Sequence, residues 1–240
     1  MNDRRAVVWG ASGGIGRALV DALASSGDYA EVHAGSRAPI VTVSNVVRPF
    51  SFDLLDEASI ASAADMIAAS GPADLVLVAT GLLHDVGQQP EKNFAALTPE
   101  AMVALYRLNT VGPALIAKHM IQALPKDRSS VFAALSARVG SIGDNRLGGW
   151  HSYRASKAAL NMIIANLAIE LRRTRPRAIA IGLHPGTVDT RLSGPFQKGV
   201  PDGKLFAPMA SARHLLSVID RATIDASGSV LAWDGQRIEP

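Results

Sequence analysis

The chain has 240 residues, 48% of them apolar and only 5% aromatic, with a formal net charge of +3. That supplies one sizeable core and excludes a strongly electrostatic nucleic-acid binder. Zero cysteine excludes disulfides, thiolate catalysis and Cys-ligated zinc, and the histidines show no metal-ligand spacing.

The N-terminus runs directly into a strand-like stretch, with neither a leader nor an apolar run long enough to span a membrane, so a cytoplasmic protein without membrane contact is expected. Ala6-Val7-Val8-Trp9 is a short apolar strand. Gly10-Ala11-Ser12-Gly13-Gly14-Ile15-Gly16 follows, then helical apolar spacing at Ala18, Leu19, Ala22 and Leu23. A strand, a glycine-rich turn and a helix form the phosphate-binding corner of a dinucleotide fold. Glycines let the backbone approach a pyrophosphate, and the helix N-terminus offers free N–H groups and positive potential. The glycines are spaced G-x-x-x-G-x-G. The same residues spell G-x-S-x-G through Ser12, the pattern of a hydrolase nucleophile, but such a serine follows several strands and not the first.

Residues 30–35 form a second strand. An acid near its end would bind the ribose 2′-hydroxyl of NAD, and an arginine the 2′-phosphate of NADP. Ser36 and Arg37 stand there with no acid, which favours NADP over NAD, and Arg17 offers a second cation. A third strand over 46–52 ends at Asp53-Leu54. An amphipathic helix spans 56–70, and a fourth strand over 74–80 closes on Gly81. Apolar strands alternating with helices predict an α/β architecture, a mostly parallel sheet covered on both faces. Residues 82–90 are a polar connection. Thr98 and Pro99 open a helix running to about 124, interrupted or kinked by Pro113, with Asn109 inside it.

A fifth strand over 130–135 runs into Ser136-Ala137-Arg138-Val139-Gly140-Ser141. A loop over 144–150 leads to Tyr153-Arg154-Ala155-Ser156-Lys157 and a long apolar helix. Arg172, Arg173, Arg175 and Arg177 lie where that helix ends and complement its dipole, with no aromatic residues among them. A sixth strand over 178–183 precedes His184-Pro185-Gly186-Thr187. Residues 193–208 are rich in Gly and Pro without periodicity, and a substrate lid is expected over 188–208. A helix over 210–222 and a seventh strand over 229–233 complete a single domain over 1–240.

Tyr153 and Lys157 are four residues apart, hence one turn apart on one helix face. A cation beside a phenol favours the phenolate and lowers a pKa ordinarily near ~10. The pair is then an acid/base able to exchange a proton with an alcohol or carbonyl oxygen.

Together the glycine motif, Asn109, the Tyr153-x-x-x-Lys157 pair and Pro185-Gly186 resemble the short-chain dehydrogenase/reductase family over essentially the whole chain. Residues 138–160 and 183–190 look like its C-factor group, named for a cell-signalling protein. The resemblance implies a seven-stranded Rossmann fold and NADP-dependent interconversion of a carbonyl and an alcohol. Tyr153 would donate the proton. Lys157 would hold the nicotinamide ribose and lower the Tyr153 pKa, and Asn109 would position a proton-relaying water. Gly10, Ser12, Gly14, Ile15 and Gly16 would meet adenosine and pyrophosphate. Ser36 and Arg37 would meet the 2′-phosphate, Asp53 and Leu54 the adenine, and Thr80 and Gly81 its ribose. Pro185, Gly186, Val188 and Thr190 would meet the nicotinamide. The resemblance also implies a homodimer or homotetramer formed through the Tyr153 helix.

Three positions depart from the family pattern. Trp9 stands where a threonine is usual. Val78-Ala79-Thr80-Gly81 replaces an Asn-Asn-Ala-Gly element, with Thr80 expected to remake a structural hydrogen bond. Ala137 occupies the place of the catalytic serine, leaving Ser136 or Ser141 as candidates. Two functions of different classes remain open: an NADPH-dependent carbonyl reductase, and an NADP-binding signalling or sensor protein with little turnover.

Overall fold

A computed structural model describes residues 3–38, 40–85, 87 and 89–240. Met1, Asn2 and Pro39 lie outside the described residues, as do Val86 and Gln88 within the 82–90 connection. The elements run β1 (Arg5–Trp9), α1 (Gly14–Ser26), β2 (Glu31–Ser36), β3 (Val47–Ser51), α2 (Glu57–Ser70), β4 (Leu75–Val78), α3 (Pro99–Tyr106), α4 (Gly112–Met120) and β5 (Ser130–Leu135). After them come α5 (His151–Thr174), β6 (Ala178–His184), β7 (Thr187–Val188), β8 (Leu205–Phe206), α6 (Pro208–Arg221), β9 (Val230–Ala232) and β10 (Arg237–Ile238).

Among the described residues the main sheet has eight strands, in the order β10-β9-β6-β5-β4-β1-β2-β3. Seven are parallel and β10 returns antiparallel to β9, so the expected seven-stranded sheet gains an edge strand. The Asp234-Gly235 turn makes that return, and a two-residue strand is too short to carry a period of two. The strand order reverses between β1 and β4, the crevice where open α/β sheets bind their ligands.

Alternation in the central strands divides the core. Val7 and Trp9 face α2, α4 and α5, whereas Ala6 and Val8 face α1 and α6. Trp9 is wholly buried and meets Phe50 and Phe52 edge-on, with centroids at 4.9 and 4.8 Å. An aromatic cluster thus fills the position where the family pattern has a small polar residue.

The expected helix over 98–124 is broken in an informative way. Thr98 caps α3 by accepting the Ala101 N–H, and α3 passes into a π-helical turn, Arg107–Val111, before α4. Pro113 cannot donate to the carbonyl of Asn109 four residues earlier, so the ladder loosens there. The Gly112 N–H instead reaches the Arg107 carbonyl, five residues back. The extra residue in this turn carries Asn109 into the interior.

Within the expected lid, β7 and β8 pair as a two-stranded parallel ladder, and a 3₁₀ turn, Gly194–Phe196, lies between them. Among the described residues no helix is long and apolar enough to cross a membrane.

Candidate active site

The first part of the site is the glycine turn between β1 and α1. Gly10 has φ +96°, and a Cβ on Gly16 would lie 2.1 Å from the Gly10 carbonyl oxygen, so both positions require glycine. A Cβ on Gly14 would lie 2.7 Å from Thr190, which therefore packs directly on the turn. The N-terminus of α1 has no side-chain cap and no acid in its first turn. Its N–H groups are left for an anion. Ser12, Gly14, Arg37, Asp53 and Gly81 are exposed at the ends of β1, β2, β3 and β4, along one crevice, with half-buried Ile15 beside them. These residues suit a dinucleotide.

Several details differ from expectation. Ser36 is buried and donates its hydroxyl to the Ala38 carbonyl, which leaves Arg37 as the exposed cation. Arg17 turns to Asp21 at 3.0 Å and to the Val41 carbonyl at 3.1 Å. Asp53 accepts the Leu55 N–H at 2.9 Å, and Leu54 packs where a Cβ on Gly112 would stand. Thr80 does not remake a hydrogen bond: its buried hydroxyl has no partner, and its methyl packs on Gly10. At the far side of the crevice the Pro185 carbonyl accepts the Ser211 hydroxyl at 2.9 Å. Gly186 takes φ +77°, and Val188 is buried.

The second part is the start of α5. Asn109 is fully buried and ties three segments together. It accepts the Leu82 N–H and donates to the Leu82 carbonyl, both at 2.8 Å, and donates to the Ser156 hydroxyl at 3.0 Å. Ser156 donates in turn to the Tyr153 carbonyl, and Thr110 donates to the Ser156 carbonyl, each at 2.8 Å. Asn109 is thus a pin between the π-helical turn, the loop after β4 and α5. A Cβ on Gly140 would sit 2.8 Å from the Lys157 Cβ, so the loop after β5 lies against the backbone of α5. The Lys157 ammonium donates to the Leu135 carbonyl at 2.8 Å and lies 5.8 Å from the Tyr153 ring centre.

Tyr153 and Lys157 are both buried, and burial sets their protonation. It pushes the Tyr153 phenol above its ordinary value and lowers Lys157 to about 8. The expected lowering of Tyr153 by its cationic neighbour is therefore reversed in this structure, because desolvation penalises both charged forms. The outcome is a protonated phenol, the form that can donate a proton.

The two candidate serines are committed elsewhere. The Ser136 hydroxyl donates to the Asn161 side chain at 2.6 Å. The Ser141 hydroxyl accepts the Asp144 N–H at 2.9 Å and donates to the Pro240 carbonyl at 3.4 Å. Just beyond the end of β5, Ser136 is turned to Asn161, and its neighbour Ala137 joins the apolar group around Tyr153, with Leu83, Leu105, Val139, Trp150 and Phe196.

Glu91, Trp150 and Ser152 also shape the site, and no local sequence signal marks them. Glu91 lies in a loop 61 residues from Ser152 and is buried against the N-terminus of α5. An acidic residue near a helix start is a cap signal only when adjacent in sequence, and this one is not.

The buried lysine has a measurable consequence. Its folded pKa, lowered to about 8, lies below its unfolded value near ~10.4. The charged form thus costs stability at pH 7, and that cost is relieved as pH rises through 8. Lys157→Met is expected to be more stable than wild type at pH 7, by on the order of 2 kcal/mol, and the gap should narrow towards pH 9.5. Urea midpoints across that range would check it. A gap constant with pH would show that Lys157 is not desolvated.

The profile of the short chain dehydrogenase family matches residues 4–200. The C-signal protein of Myxococcus xanthus is 33% identical over 138 residues, 57% of this chain and 77% of that protein. A 1-hydroxy-2-glutathionyl-2-methyl-3-butene dehydrogenase of Rhodococcus sp. (strain AD45) is 35% identical over 128 residues, and that match spans 54% of the relative's length. Among solved structures, the NADPH-bound carbonyl reductase from chicken fatty liver superposes with a TM-score of 0.85 at 24% identity, covering 100% of this chain and 95% of that one. The carbonyl reductase Sniffer of D. melanogaster superposes at 0.86 with 19% identity over 100% of both chains. At these identities the two structures establish the fold alone. The family profile, matching all but the C-terminal sixth of the sequence, establishes more: this chain belongs to the short-chain dehydrogenase family of oxidoreductases.

Proposed function

We propose that the protein is an NADPH-dependent carbonyl reductase, reversible as an alcohol dehydrogenase. One observation carries this reading: the buried Tyr153 and Lys157 pair lies beside the crevice bordered by the glycine turn and Gly81. NADPH supplies the hydride. Gly10, Ser12, Gly14, Ile15 and Gly16 bind its pyrophosphate side, Arg37 the 2′-phosphate, and Asp53, Leu54, Thr80 and Gly81 the adenosine. Pro185, Gly186, Val188 and Thr190 bind the nicotinamide end. Lys157 holds the ribose and Tyr153 gives its proton to the carbonyl oxygen. Asn109 keeps these groups in register. Ala137, in the place of the usual serine, leaves Tyr153 as the hydroxyl donor to the developing alkoxide.

A second reading, an NADP-binding signalling protein with little turnover, is favoured by the similarity to C-signal and by Ala137. Assay against a panel of aldehydes and ketones separates the two. For the reductase, Tyr153→Phe should abolish turnover and Lys157→Ala should lower it more than ~10²-fold. Ser136→Ala and Ser141→Ala should stay within a few-fold, since each hydroxyl already serves a structural bond. A loss near ~10² in either serine variant would restore that serine to the catalytic set. No turnover with any carbonyl would leave the signalling reading.

Cofactor choice rests on Arg37 and on the absence of an acid at the end of β2. The NADPH of the chicken liver structure agrees with it. Arg37→Asp exchanges a phosphate partner for a ribose-diol partner. The ratio of kcat/KM for NADPH over NADH should fall by ~10-fold or more, on the scale of one charge-assisted hydrogen bond. A wild type that uses NADH equally well would refute the assignment.

Assembly is the third element. Leu160, Ile164, Leu167 and Leu171 of α5 face the sheet, while Met162 and Ile169 remain 61% and 48% exposed. A groove between α4 and α5 lies beside this face and is of mixed character, with Ala114, Ile121 and Ile163 next to Lys118, Asn166 and Glu170. Such a stripe fits a second copy, as a homodimer or homotetramer. Light scattering at micromolar concentration should give a multiple of the 25.2 kDa chain mass, and a monomer mass would exclude it.

A further inference from the structure

The turn that opens α5 runs against local preference. Gly148, Gly149 and Trp150 have φ of 61°, 64° and 50° in succession. Among the described residues Trp150 is the only non-glycine with positive φ. A bulky side chain in that region persists only where its surroundings hold it, and such positions cluster at ligand sites. Glu91 provides the hold. Its carbonyl accepts the Trp150 N–H at 2.5 Å. Its buried carboxylate accepts the Ser152 N–H at 3.3 Å and the Ser152 hydroxyl.

With its backbone held, the indole stands edge-on to two rings. Its centroid lies 6.3 Å from that of Tyr153 and 4.9 Å from that of Phe196. Phe196 meets His84 edge-on at 5.5 Å, and the His84 ring bonds to the carbonyls of Arg191 and Leu192. Aromatic rings therefore run from the proton donor to the segment over it, and Leu83, Leu105 and Ala137 complete an apolar wall.

Several polar side chains near this wall are turned to protein partners. Ser136 bonds to Asn161, Asn109 to Leu82 and Ser156, and Lys157 to the Leu135 carbonyl. Arg154 bonds to the carbonyls of Val139, Gly148 and Gly149. A charged or hydroxylated substrate would shed its hydration against this wall without compensation. An aromatic one would meet ring faces and edges suited to it.

The geometry points to Trp150, positioned by Glu91, as the residue that sets substrate choice, and to a carbonyl carried on a flat apolar group, aryl or conjugated, as the substrate class. This rests on the carbonyl-reductase reading.

The test compares kcat/KM for 2-naphthaldehyde, propanal and glyoxylate at saturating NADPH. Wild type should prefer naphthaldehyde over propanal by ~10-fold or more, equivalent to about 1.4 kcal/mol, and glyoxylate should be the poorest. Trp150→Gly removes the wall while suiting the left-handed backbone, and should lower the naphthaldehyde-to-propanal ratio ~10-fold. Trp150→Leu, which keeps an apolar side chain without ring faces, should lower it in the same direction and serves if the glycine variant does not fold. Trp150→Phe should restore most of it. Glu91→Ala should lower the ratio with the indole still present, and Glu91→Gln should recover it. Equal losses for both aldehydes in the Trp150 variants would make Trp150 merely structural and overturn the assignment. An unchanged ratio in Glu91→Ala would overturn the positioning role. A wild type that reduces glyoxylate as well as naphthaldehyde overturns the substrate class and leaves the reductase reading intact. A wild type that reduces none of the three overturns both.

Discussion

The site depends on one buried amide. Asn109 donates to and accepts from Leu82 and donates to Ser156, and so joins the loop after β4, the turn between α3 and α4, and α5. None of these segments is held in place by helix or sheet ladders alone. An amide can satisfy a peptide N–H and a peptide C=O together, and no other side chain of that size except glutamine can. In a fully buried position each unmade bond would carry the desolvation penalty of its group, on the order of 1–3 kcal/mol. The π-helical turn that delivers Asn109 is therefore part of the site. Pro113 opens the ladder, and the amide occupies the interior that results.

Burial also governs the chemistry. Proximity of Lys157 to Tyr153 argues for an easily ionised phenol, whereas burial raises the phenol above its ordinary value and lowers Lys157 to about 8. The two effects compete through the same low-dielectric surroundings. Removing water strengthens the attraction between phenolate and ammonium, yet it raises the cost of creating either charge by more when few other dipoles are present. Burial thus keeps the phenol in its protonated form, the form that can donate a proton.

Much of the fold was legible in the sequence. Apolar runs and their alternation marked the seven parallel strands, and the glycine spacing located the turn before α1. The rest was hidden for identifiable reasons. Arg237–Ile238 is too short to show a period. The π-helical turn needed the consequence of Pro113 to be worked through to the backbone partner five residues back. Tyr153 and Lys157 were legible because one helix carries both at a fixed spacing. Glu91 was not, since its partner Ser152 lies across a loop and joins it only in three dimensions. Ser136 is a natural candidate by position, but in the loop after β5 its hydroxyl turns to Asn161 while Ala137 packs in the apolar group of Tyr153.

The replacement of a hydroxyl by the Ala137 methyl changes the balance of the site. Removing one donor from a developing alkoxide typically costs ~10²–10³ in rate. The same change removes a polar group that would need its own partner when no substrate is bound. Leu83, Leu105, Ala137, Val139, Trp150 and Phe196 pack with Tyr153 as one apolar group, and the tyrosine is buried. On the reductase reading, a hydrogen bond from Tyr153 to the alkoxide would be stronger in such surroundings than in a wet site. The gain depends on the wall being continuous, because one water admitted beside the phenol would screen the bond. The indole of Trp150 is part of that wall, and its backbone takes a conformation that costs about 1–2 kcal/mol for a residue with a Cβ. On the reductase reading, the strained turn, the buried Glu91 that holds it and the alanine at 137 belong to one arrangement, in which an apolar wall would take over part of the work of a second donor.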